Sequence, residues 1–112
     1  MDSFDYLESK LGKKLALYLG GFQGLMNPEN FVLNKSAESS FSPMILKRWE
    51  IAQRVCEKLI VAFGCGIAAN WFVSSNRMFA GETPAFVIRN NSDTVRFRMF
   101  EDAADHFIDG FL

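Results

Sequence analysis

The sequence predicts an all-α chain, a small bundle of about five helices, and three observations carry that reading. Apolar residues recur at spacings of three and four along several segments. Asn27-Pro28, Ser42-Pro43 and Thr83-Pro84 each write a capping residue followed by proline at the first helical position. No segment alternates β-branched and polar residues over a useful length, so strand content should be near zero. Apolar residues make up 49% of the 112, with 12 Phe among them, which sets disorder aside for most of the length and suffices for one modest core.

In chain order, Phe4, Leu7, Leu11, Leu15 and Leu19 write one stripe, predicting a single helix over residues 3–19 that Gly20-Gly21 stops. Asn27-Pro28 opens a short helix over 28–35, and Ser39, Ser40 and Ser42 mark a loop. After Ser42-Pro43 comes the clearest helix, in which Ile45, Trp49, Ala52, Cys56, Leu59 and Phe63 are spaced four, three, four, three, four. Gly64 and Gly66 should end it, and a short helix with Ile67, Ala68, Trp71 and Phe72 follows. Residues 74–82 read as an ordered loop, within which Met78 and Phe79 must find cover. Thr83-Pro84 starts a brief helix over 85–88, ended by Asn90-Asn91. Ser92 then caps a last helix carrying Val95, Met99, Ala103 and Phe107, widened by Phe100 and Ile108. Gly110 closes that helix and leaves Phe111 and Leu112 outside it.

Composition narrows the function classes. Twelve basic residues against thirteen acidic ones give a net charge of −1, so no global positive field drives binding to nucleic acid or to a membrane surface. The last twelve residues hold four carboxylates, Glu101, Asp102, Asp105 and Asp109, and no Lys or Arg. No leader sequence shows near Met1, and the longest apolar run, 59–63, is far too short to span a bilayer, which leads to the expectation of a cytoplasmic protein without membrane contact. Cys56 and Cys65 are too few for a disulfide framework.

Chemistry has no visible seat. His106 is the only histidine, its neighbours at helical spacing are Asp102 and Asp109, and no Ser or Cys lies near it in sequence. One His and two Cys do not make the closed ligand set of a zinc site, and Gly64-Cys65-Gly66 lacks the rest of a nucleotide fingerprint. The expectation is therefore no catalytic residue, no metal and no cofactor. The acidic end is more unusual: carboxylates near the end of a helix face the negative pole of its dipole, at a cost of a few tenths of a kcal/mol each. Two readings stand open, a solvated acidic face or a surface that meets a basic partner. Phe107, Phe111 and Leu112 beside those carboxylates favour the partner.

Residues 42–112 resemble the toxin-binding region of the Xre/MbcA/ParS antitoxins. "SPMILKRWEIAQRVCEKLIVAFG" is similar to the long helix of that family. "IAANWFVSSNRMFAGETPAFVI" is similar to its signature of an aromatic pair, an Asn-containing loop, then Gly-x-Thr-Pro and an apolar helix. "FEDAADHFIDGFL" is similar to its terminal helix. The resemblance rests on Trp71, Asn76, Phe79, Gly81, Thr83 and Pro84, although each also has an ordinary structural role open to it: core, cap or turn. It implies a non-catalytic antitoxin whose partner is a RES-domain toxin that binds and consumes NAD, with the antitoxin's C-terminal end directed at the NAD pocket. It also implies dimers or larger toxin–antitoxin complexes. The toxin-binding residues it points to are Trp71, Asn76, Arg77, Phe79, Asp105, Asp109, Gly110, Phe111 and Leu112. A pocket built for pyrophosphate presents arginines, so Asp105, Asp109 and the Leu112 carboxylate would be natural mimics, with Phe111 the buried anchor.

Relatives often carry a complete helix-turn-helix at the N-terminus, and residues 1–41 hold at most a reduced one. It can be drawn with 13–19 as first helix and 28–35 as recognition helix, offering Asn30, Asn34 and Lys35 to DNA. A segment with four basic and five acidic residues is poor equipment for that task. The alternative function, a DNA-binding repressor of its own operon, depends on those three residues.

Overall fold

A computed structural model of the chain describes residues 3–21, 43–91 and 97–110. Within them lie six α-helices and one short 3-10 turn, and no strand: α1 (Ser3–Leu11), α2 (Lys13–Gly20), α3 (Pro43–Phe63), α4 (Cys65–Val73), the turn Arg77–Phe79, α5 (Pro84–Asn90) and α6 (Phe97–Asp109). The all-α expectation holds. The predicted 28–35 helix with Asn30, Asn34 and Lys35, the 39–42 loop, the caps at Ser42 and Ser92, Val95, Phe111 and Leu112 fall outside the described residues.

The bundle is organised around α3. Its predicted stripe is its buried face: Trp49, Ala52, Cys56 and Leu59 are buried, joined by Ile51 and Val55. At 1.5 Å per residue this helix is about 32 Å long, and α1, α2, α4 and α6 all pack against it. Burial pushes the Cys56 thiol up to about 11, while Cys65 is exposed, and both are free thiols. The Tyr6 hydroxyl beside Cys56 is pushed up to about 12, again chiefly by burial.

Two expectations about glycine need correction. The stripe of residues 3–19 is divided at Gly12, which sits at φ +93° between α1 and α2. Gly64 makes the same single-residue corner between α3 and α4, at φ +92°. Side chains other than hydrogen avoid that region, so one glycine suffices to redirect the path without a loop. The break also turns α2, which buries Ala16, Leu17, Leu19 and Gly20 rather than continuing the line through Leu15. Gly66, expected to help end α3, lies inside α4.

The far end of α2 is fixed by polar groups from distant parts of the chain. Gly21 ends the helix in the left-handed conformation, its N–H donating to the Tyr18 carbonyl at 3.0 Å. Arg89 donates from Nη1 to the same carbonyl at 2.9 Å, with its guanidinium 4.4 Å over the Tyr18 ring. Arg48 donates to Gly20 O at 3.2 Å and to Asn91 O at 3.1 Å. Burial, and then the charge of Arg89 beside it, hold the Arg48 guanidinium below its ordinary pKa. Two like charges are tolerated together because both face the negative pole of α2. Trp49 completes the joint, its Nε1 donating to Ala16 O at 2.8 Å, and a Cβ on Gly20 would lie 2.7 Å from its indole.

Candidate functional site

The loop between α4 and α5 is built around Asn76. Its backbone carbonyl accepts from Phe79 N and Gly81 N, both at 3.0 Å, its side chain accepts from Met78 N at 2.9 Å, and its N–H donates to Glu82 O at 3.1 Å. One residue therefore satisfies four backbone groups, leaving the loop little freedom without a large energetic loss. Ala80 closes the turn at φ +57°, donating to Arg77 O at 3.2 Å. Thr83 caps α5 as the sequence predicts, its hydroxyl accepting from Phe86 N at 3.1 Å, with Pro84 at the start of the helix.

That geometry divides the residues assigned to toxin binding. Trp71 is 4% exposed and meets Phe72 edge-on at 5.2 Å, and Phe79 is 7% exposed and lies 5.1 Å from the Phe100 ring. Both shape the surface from beneath and offer it no side chain. Asn76 is half-buried and occupied by the loop, while Arg77 is exposed. Met78, expected to find cover, stands 42% exposed, and Phe86, one turn into α5, 45% exposed. No periodic signal marked those two as surface groups. Each adjoins a residue that takes the buried position, Ala85 before Phe86 and Phe79 after Met78.

The second group of assigned residues lies on α6. Phe97, Phe100, Ala103 and Ala104 are its buried face, and Phe107 meets Phe63 edge-on at 5.5 Å. This register puts Met99, placed on the core stripe from sequence, at 41% exposure. Asp102, Asp105, His106 and Asp109 occupy the outer side and are exposed. Because α6 runs from Phe97 to Asp109, Glu101 and Asp102 sit mid-helix, and the dipole penalty falls mainly on Asp109 in the last turn.

Lys58 of α3, which drew no attention in the sequence, reaches Asp105 at 3.2 and 3.3 Å and Glu101 at 3.9 Å. Asp105 thus has a cationic partner within its own chain, whereas Asp109 and Gly110 stand exposed beyond it. Phe111 and Leu112 follow them in sequence, outside the described residues. Among the described residues no group of three or more His, Cys, Asp or Glu could hold a metal ion, and no helix is long and apolar enough to cross a membrane.

Two separate surfaces result. One is a rigid loop edge with Arg77, Met78 and Phe86, and the other is the acidic outer side of α6 running out to Asp109. The comparisons with known proteins add nothing to this: no family model, no curated protein and no solved structure matches the chain.

Proposed function

We propose that the chain is a non-catalytic inhibitory protein, the antitoxin of a toxin–antitoxin pair, which neutralises a RES-domain, NAD-consuming toxin in the cytoplasm by inserting its acidic C-terminal end into the toxin's NAD pocket. The observation that carries the reading is the outer side of α6, where Asp102, Asp105 and Asp109 are exposed on a helix whose opposite side is held firmly in the core. A rigid helix that presents carboxylates ahead of a Phe-Leu pair is suited to an arginine-lined, partly apolar pocket. Asp109 is the first candidate to meet such arginines, and Asp105 contributes only by exchanging Lys58 for the partner's cation. The loop edge with Arg77 and Met78 supplies a second point of contact, while Trp71, Asn76 and Phe79 hold that edge in shape.

The test is co-expression with a RES-domain toxin, reading cell growth and NAD content. Rescue by the full chain, lost when residues 109–112 are removed, is the expected outcome. If the truncated chain still restores NAD, the end of α6 is not the inhibitory element.

A further inference from the structure

A groove of about 590 Å³ opens on the side of the molecule formed by α2, the end of α4 and the start of α5. Its volume lies within the range of clefts that take specific ligands, ~300–1,000 Å³. The floor is apolar, made of Leu11, Leu15, Tyr18, Val73 and Ala85, and Val73 stands 54% exposed over it. Lys13 and Lys14 also line it. There α2 begins at Gly12, which offers no side chain to cap the first turn, so the positive pole of the helix opens on the groove. The groove thus asks for an apolar group followed or preceded by a carboxylate.

The sequence holds a segment of that composition. Residues 9–28 carry three lysines and no carboxylate, whereas residues 101–112 carry four carboxylates, no Lys or Arg, and finish Asp-Gly-Phe-Leu. We propose that the groove receives the 109–112 segment of a second copy of this chain. Phe111 and Leu112 lie on the apolar floor, and Asp109 sits against Lys13, Lys14 and the uncapped start of α2. With a two-fold axis between the copies, each tail fills the other's groove and the contact closes as a dimer. This pairing does not rest on the inhibitor reading. Where both hold, a tail is engaged by its sister or by the toxin and not by both, so dimer dissociation precedes inhibition.

Sedimentation of the purified full-length chain tests it without any toxin. The wild type should pass from monomer to dimer with rising concentration, more weakly at high salt. The Lys13→Glu/Lys14→Glu double variant and the Asp109→Lys variant should each weaken the dimer about tenfold or more, as reversed charges at an interface do. An equimolar mixture of those two variants should dimerise like the wild type, because reversed groove meets reversed tail and native groove meets native tail. Circular dichroism establishes that each variant is folded. A wild type monomeric at every concentration, a dimer indifferent to both charge reversals, or a mixture that stays as weak as its components would each overturn the proposal. Loss of toxin inhibition with an intact, charge-sensitive dimer would instead count only against the inhibitor reading.

Discussion

Two helices lie on α3 at opposite ends of the sequence, and they are held by different physics. The junction of α2 with α3 is locked by directional donors, the Trp49 indole on Ala16 O and Arg48 on Gly20 O, and Arg89 of α5 adds a third on Tyr18 O. The junction of α6 with α3 is held by apolar packing, Phe107 edge-on against Phe63, with one lysine pairing two partly exposed carboxylates at its edge, while Phe100 packs on Phe79 of the 3-10 turn. Directional bonds fix geometry and are costly to break, while apolar packing leaves the outer face of a helix open to any charge pattern. The first junction is scaffold, and the second leaves a face available for a partner. Substitutions at the two junctions should therefore differ in what they cost.

The largest effect is expected at Trp49. Its truncation, Trp49→Ala, removes a buried indole that meets Phe4 at 5.0 Å, together with the Nε1 bond to Ala16. A loss of about 3–5 kcal/mol follows from the cavity alone, measured by urea unfolding. The milder Trp49→Phe should still cost more than the same change at Trp71. Next comes Arg89→Met, which keeps length and apolar stem but deletes the bond to Tyr18 O. Hydrogen bonds from charged groups contribute about 1.5–3 kcal/mol, and relief of the repulsion felt by Arg48 places the result at the lower end. A change indistinguishable from zero would show that the guanidinium pair does not secure the end of α2.

Much of this architecture is readable in the sequence, and the parts that are not fail for identifiable reasons. The register of α3 is written by regular spacing between a proline and a glycine, and Thr83-Pro84 is both cap and first turn, as expected. The break at Gly12 is invisible to periodicity because Leu7, Leu11 and Leu15 stay in phase through it. The apolar residues of α6 share one side of the helix, with Phe97 and Met99 towards its two edges, and tertiary packing decides that Phe97 goes in and Met99 stays out. Arg89 reads as a surface residue in any composition-based view. The hint that was there is α2 itself, which has no basic residue in its last turn and must borrow a cation from elsewhere. Of the residues that the resemblance assigns to a partner surface, Trp71 and Phe79 lie inside, because order along the chain does not record which way a side chain faces.

The two tryptophans sharpen the comparison further. Trp49 has a partner for its indole N–H, whereas Trp71 Nε1 is buried with none among the described residues. A buried donor left unpaired costs about 1–3 kcal/mol. Trp71→Phe removes that donor while keeping an aromatic ring against Phe72. Gain and loss of packing should nearly cancel, leaving stability within about 1 kcal/mol of wild type. A loss as large as that of Trp49→Phe would mean that the α4 side is as tightly specified as the α2 side.

The smallest change in stability is expected at Lys58, where the proposed partner binding should respond most clearly. Lys58 is 37% exposed and its partners Glu101 and Asp105 are 29% and 51% exposed, so Lys58→Ala should cost less than about 0.5 kcal/mol, and less again at high salt. Removing it deprives Glu101 and Asp105 of their Lys58 partner and makes the outer side of α6 more negative. If that side meets a basic pocket, association with the partner should become faster and more sensitive to salt, while unfolding by urea hardly changes. If Lys58 instead holds α6 at the angle that binding requires, the variant should bind more slowly and Lys58→Arg should restore it. The sign of the change in association rate therefore decides whether the α6 junction is a free charged face on an apolar hinge or a second positioned joint like the one at α2.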